Sequence, residues 1–185
     1  MASAGTSRYA AFLRGMNVGG HRVKSEELRS LCEALGFADV GVFRASGNVV
    51  FTAAREPVAE LTARVEEGLE RALGYAVPTF MRTAEEVRSI AAAQPFDSSL
   101  VQASKGKLQV TMLSRAPTKR ARQDALALST EEDLLALEGR ELYWLPSGGI
   151  LASALDLKTI AKLLGVGTTR TKNTVEQIAA KHFAA

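Results

Sequence analysis

VGVFRASGNVVF, residues 40–51, decides how the first half of the chain is built. Residues 40–44 and 48–53 read as two strands. The connector Ala45-Ser46-Gly47 between them is short and contains glycine, the mark of a β-hairpin. Upstream, residues 8–14 read as a strand. A helix follows from Ser25, with Ser25 as N-cap, Glu26 and Glu27 in the first turn, and Leu28, Leu31, Cys32 and Leu35 on one face. Gly36 stops it. Downstream, Pro57 suits the first turn of a second helix. Val58, Leu61, Val65 and Leu69 keep helical spacing up to Gly74. Tyr75 to Met81 reads as a strand, with Pro78 favouring a sheet edge or bulge. The order strand, helix, strand, strand, helix, strand is the split β-α-β of a ferredoxin-like unit. Its first strand is central and antiparallel to the third, and Leu28, Leu31, Leu35, Leu61, Val65 and Leu69 should be buried.

The remainder partly repeats this order. Thr83 and Glu86 form a capping box for a helix over 84–93. Residues 107–113 alternate as a half-buried strand, a helix covers about 118–128, and residues 133–145 read as a hairpin turning at Glu138-Gly139, though Glu132 to Leu135 could equally prolong the helix. A helix over 152–164 ends at Gly165, and a short helix starts near 174. The expected architecture is therefore α+β, two ferredoxin-like (βαββαβ-type) halves with antiparallel sheets. Residues 1–82 form the first half, 83–106 a helix and linker loop, and 107–185 the second. Pro95, Ser98, Ser99, Ser104 and Gly106 mark residues 91–106 as a linker or mobile loop.

Of 185 residues, 46% are hydrophobic and 23% charged, ordinary globular values; the net charge of +3 suits an anionic ligand or nucleic acid. Cys32 is the sole cysteine, which excludes an internal disulfide and fits a reducing compartment. On the apolar face of its helix it reads as a small buried hydrophobe. No stretch approaches the roughly 20 apolar residues of a membrane span, and residues 1–15 lack a signal-peptide core. A cytoplasmic protein with no membrane partner is expected.

LRGMNVGG, residues 13–20, is the first chemical candidate. Gly15 and Gly20 have P-loop spacing, but His21 and Arg22 stand where that motif needs Lys and Ser or Thr. What remains is a glycine-rich backbone able to turn N–H groups toward an anion, with Arg14 adding a charge-assisted fork. Strand adjacency brings Arg14, Gly15, Asn17, Gly19 and Gly20 toward Ser46, Gly47 and Asn48, with Arg44 on the same hairpin. A second polar run, Thr168 to Thr174, precedes the last helix. Asn173 or Thr174 would cap that helix, and Thr169, Arg170 and Asn173 offer an anion site at its N-terminus. The first cluster holds no carboxylate, His or thiol to act as a general base. No metal-ligand spacing or nucleophile elbow is present, so no reaction, catalytic residue, metal or cofactor is assigned. Glu66, Glu67, Glu85, Glu86 and Glu131 to Asp133 read as solvated helix surface, and Trp144 as a core or sheet-face residue.

FLRGMNVGG at 12–20, SGNVVF at 46–51, QPF at 94–96 and TTRTKNTV at 168–175 resemble, in order, the signatures of a bacterial family named domain of unknown function 1697. The resemblance implies a soluble two-part α+β protein and no established activity. The family's last motif usually reads TTRNWNTV. Thr171 and Lys172 replace Asn and Trp here, so no role of that Trp carries over. The functional expectation is a binder of a phosphorylated or nucleotide-like anionic small molecule. A nucleic-acid-binding module ranks second, because residues 48–52 lack the aromatic-rich pattern of RNA-binding sheets. A structural or protein-interaction domain, contacting partners through 91–106, is the third reading.

Overall fold

The structure is a computed structural model that describes residues 5–16, 22–44 and 47–184. They form two compact units: Met1–Arg88 together with Ile178–Ala185, and Ser89–Gln177. Each is built around a four-stranded antiparallel sheet.

In the first unit β1 (Thr6–Leu13), α1 (Ser25–Ala34), β2 (Ala38–Val42), β3 (Asn48–Ala54), α2 (Val58–Leu73) and β4 (Thr79–Thr83) follow in order. The sheet order is β2-β3-β1-β4, so β1 is central, as a split β-α-β requires. Alternation places Tyr9, Ala11 and Leu13 of β1 and Val49, Phe51 and Ala53 of β3 on one face. There they pack with Leu28 and Cys32 of α1 and Leu61, Val65 and Leu69 of α2. Leu31 and Leu35, expected to be buried, are half-buried at the margin of that core. Leu35 lies so close to Gly68 that a Cβ there would collide with its side chain, which lets the two helices approach.

Burial, then the Glu33 charge, pushes the Cys32 thiol up to about 12. It is a protonated core group, and iodoacetamide should label it only after unfolding; labelling of native protein at the rate of a free peptide thiol would contradict this.

In the second unit α3 (Ala84–Ala92), which starts in the first unit, leads to α4 (Ser98–Ala103). β5 (Gln109–Leu113), α5 (Lys119–Leu126), β6 (Asp133–Glu138), β7 (Glu141–Pro146), α6 (Leu157–Leu164), β8 (Gly167–Thr171) and α7 (Lys172–His182) follow. The sheet order β6-β7-β5-β8 repeats that of the first unit strand for strand. One face of this sheet packs Leu113, Leu135, Leu137, Leu142 and Trp144 against Ala125, Ile160 and Leu164.

Several local expectations change. The strand expected at 75–81 begins at Thr79, because Pro78 has no N–H for the ladder. Lys24 rather than Ser25 takes the N-cap position of α1, with no side-chain capping bond. The segment 91–106 contains α4, and the polar run before the last helix is largely strand, Gly167–Thr171. Asp133, read as helix surface, is 4% exposed, and its Oδ1 accepts the Trp144 indole N–H at 2.7 Å. Glu66 accepts the Thr79 amide at 2.7 Å. Glu86 and Thr83 form the expected reciprocal capping box.

The end of α7 belongs to the first unit. Arg8 donates to the His182 carbonyl, and a Cβ on Gly41 would come within 3.3 Å of the His182 ring. Burial, then the charges of Lys181 and Arg8, holds the His182 imidazole below its ordinary pKa of 6.5. The unfolded chain therefore binds a proton that the folded chain resists. This contribution to stability is intact above the unfolded pKa and lost as pH falls below it. His182→Gln should flatten the fall in melting temperature between about pH 7 and 5; an unchanged slope would remove His182 as its source.

Candidate functional site

The hairpin and the LRG loop meet in the first unit. Leu13 N–H donates to Gly47 O at 2.7 Å, and Arg14 N–H to Pro78 O at 2.9 Å. Gly47 has φ +75°, and a Cβ on it would stand 3.0 Å from Leu13 Cβ and from Met16 Cγ. Glycine is thus required twice over, by conformation and by space. Asn48 is 1% exposed. Its Nδ2 donates to Phe43 O at 2.9 Å, and Phe43 N–H donates to Asn48 O at 2.8 Å. The Asn48 amide therefore closes the hairpin. Asn48→Ala should lower stability by about 1–2 kcal/mol, read by urea denaturation, with little direct effect on any ligand. Arg44, at φ +58°, places its guanidinium 5.5 Å from the Phe43 ring centroid. Gly15 turns with φ +77°. Met16, Leu28, Val42 and Gly47 border a crevice with no room for a water molecule. Asn17, Gly19, Gly20 and Ser46 lie outside the described residues. The described part of this loop is thus a tightly packed turn with Arg14 at its rim.

In the second unit the TTRTKNTV run is a strand that passes straight into a helix. Thr169 pairs its hydroxyl with that of Thr111 at 2.7 Å. Arg170 Nη1 donates to Thr168 Oγ1 and Thr169 O, both at 2.9 Å. Burial pushes this guanidinium down to about 10, which leaves it a cation at neutral pH. The cap of α7 is Thr171, whose Oγ1 accepts the Thr174 N–H at 3.3 Å, in place of the expected Asn173 or Thr174. Asn173 is exposed.

Lys172, absent from the sequence-based candidates, has the most distinctive environment. It is 8% exposed. Its Nζ donates to Ala91 O at 2.8 Å and to Glu176 Oε1 at 2.6 Å. An ammonium has three N–H donors, so two acceptors leave one donor to spare. Lys172 lines a cavity of about 520 Å³ that lies wholly within the second unit, walled by Gln94, Pro95, Phe96, Val101, Asn173 and Glu176 among others. That volume falls in the range of small-molecule sites. Two cations, Lys107 and Lys172, and one carboxylate, Glu176, reach it, beside the N-terminal turn of α7. Pro95, Phe96 and Val101 supply an apolar wall. The sequence carried one signal for it, the QPF motif at 94–96. Among the described residues no group of three or more His, Cys, Asp or Glu could hold a metal ion.

Two split β-α-β sheets and a ligand-sized cavity walled by a QPF turn define an α+β protein with a small-molecule-sized site. The chain belongs to the family described as protein of unknown function (DUF1697), whose sequence model matches residues 6–143. It is also similar to a solved structure, that of the conserved bacterial protein SP0830 from Streptococcus pneumoniae. The TM-score is 0.70 at 18% identity, over 95% of this chain and 98% of that one. At that identity the likeness concerns the fold. No curated protein matches the chain. No helix among the described residues is long and apolar enough to cross a membrane.

Proposed function

We propose that the protein binds a small molecule carrying a phosphate or similar anionic group, with an apolar or aromatic body, in the Lys172 cavity. The observation that carries this reading is the nearly buried ammonium in the cavity wall with one donor beyond its two internal acceptors. Burial strengthens a charge-assisted bond to an incoming oxyanion. The Phe96 ring and Pro95 offer a surface for a base or another flat group. Arg14 at the rim of the LRG turn, and Arg170, are the remaining anion-binding candidates. The nucleic-acid reading has less support, since Phe12 and Phe51 are 0% exposed and RNA-binding sheets stack bases on exposed aromatics.

The test is a thermal-shift screen and calorimetric titration with inorganic phosphate, sugar phosphates and nucleoside monophosphates. Lys172→Met keeps the length of the stem and removes the charge. It should weaken binding by about tenfold to over a hundredfold, from loss of on the order of 1.5–3 kcal/mol. Lys172→Trp should fill the cavity and block it. If Arg14→Ala abolishes binding while Lys172→Met leaves it intact, the ligand sits at the LRG turn instead. Wild-type protein that binds no anion in the screen would overturn the proposal.

A further inference from the structure

We propose that the second unit holds a second binding site, for a small uncharged amphiphile with a hydrogen-bond donor at one end, between its sheet and α6. The cavity there measures about 290 Å³, room for roughly ten non-hydrogen atoms at about 30 Å³ each. It shares no lining residue with the Lys172 cavity. Leu135, Leu142, Trp144 and Ile160 form its apolar wall, and Gln109, Thr111 and Thr169 its polar end.

The polar end is what selects a ligand. Gln109 is 3% exposed. Its Nε2 donates to Lys107 O at 2.6 Å, while its Oε1 accepts from none of the described residues. That amide oxygen belongs to a side chain that lines the cavity, and it can accept a hydrogen bond from a ligand. The Thr111–Thr169 hydroxyl pair beside it uses one hydroxyl hydrogen internally and retains further donor and acceptor capacity. No charged side chain lines this cavity, so an ionised ligand would lose its hydration with no counter-charge to replace it. An alcohol or phenol on a hydrocarbon body meets both ends. Ile150 and Leu157, 45% and 48% exposed, line the cavity too, and Leu151 beside them is fully exposed. An apolar approach from solvent is therefore part of the site.

Trp144 is the only tryptophan of the chain, so its fluorescence reports this cavity directly. The probe is a brominated hexanol, whose heavy atom quenches a contacting indole. Expected is saturable quenching by the alcohol, with brominated hexanoate at neutral pH roughly tenfold weaker or worse. Ile160→Phe should abolish the saturable part. Gln109→Leu should weaken the alcohol without weakening brominated hexane, and Lys172→Met should leave the quenching unchanged. Linear, unsaturable quenching that is equal for alcohol and carboxylate would overturn the proposal, in wild-type protein and without reliance on any variant folding. So would saturable quenching that survives in folded Ile160→Phe.

Discussion

Phe51→Ala is expected to destabilise the protein by about 3–5 kcal/mol, the usual range for removing a fully buried phenyl ring. Phe51 is 0% exposed on the central part of β3. It stacks on Phe37 with ring centroids 4.2 Å apart and lies 6.0 Å from Tyr9 in a tilted pair. Arg64 covers the Phe37 ring at 4.8 Å, so the aromatic group is sealed from the helix side. Truncation removes apolar area, an aromatic pair and close packing together, and Ala53 and Val49 on the same strand cannot move to refill the space. For a chain of this size the melting temperature should fall by about 6–20 °C. A loss below about 1 kcal/mol in urea would mean that this face of the sheet is not the core.

Gly106→Ala should produce the second large effect. Cβ at this position would fall inside contact distance of the carbonyl oxygens of both Pro146 and Gly148. Those are backbone atoms, so no rotamer change relieves the clash. The strap is also bonded in place: Ser104 Oγ donates to Pro146 O, Gly106 N–H to Ser104 Oγ at 3.0 Å, and Lys105 N–H to Ser147 O at 2.9 Å. The methyl must pry 104–106 away from 146–148, at about 1–3 kcal/mol. Gly106 also lines the Lys172 cavity, so the anion binding proposed there should weaken alongside stability. Unchanged stability would show that the strap is loose; unchanged affinity would show that the cavity rim moves independently of it.

Most of the first unit was legible because its signals are redundant. The α2 face of Leu61, Val65 and Leu69, its stop at Gly74, and the Thr83–Glu86 box each have a local cause that nothing tertiary contradicts. β8 was missed for a physical reason. Gly167–Thr171 is an edge strand of threonine and arginine with no apolar alternation, and its place comes from pairing with β5. α4 has six residues and no buried side chain, too little periodicity for a helix to be read. Lys172 was read only as one charge of the polar run before the last helix; folding carries Ala91 O to its amine, and α7 starts early enough to set Glu176 one turn away. Strand adjacency was expected to carry Arg14, Gly15 and Asn17 to the hairpin, and the bond seen at that meeting is Leu13 N–H to Gly47 O. It could not reveal that the Asn48 amide would turn inward to Phe43 rather than outward.

The first unit takes in residues from both sides of the second: the chain leaves it after Arg88 and returns at Ile178. During synthesis the 89 intervening residues (89 to 177) must be made before the His182 carbonyl can meet Arg8 and the Phe183 carbonyl can meet Arg88. At about 5–20 residues per second that is a delay of roughly 4–18 s. Throughout it the first sheet lacks residues 178–184. The second unit carries no such debt, since all its residues are contiguous. The part of the chain made first is therefore the part finished last, and a ribosome-bound intermediate stalled before residue 178 would pair a completed second unit with an open first one.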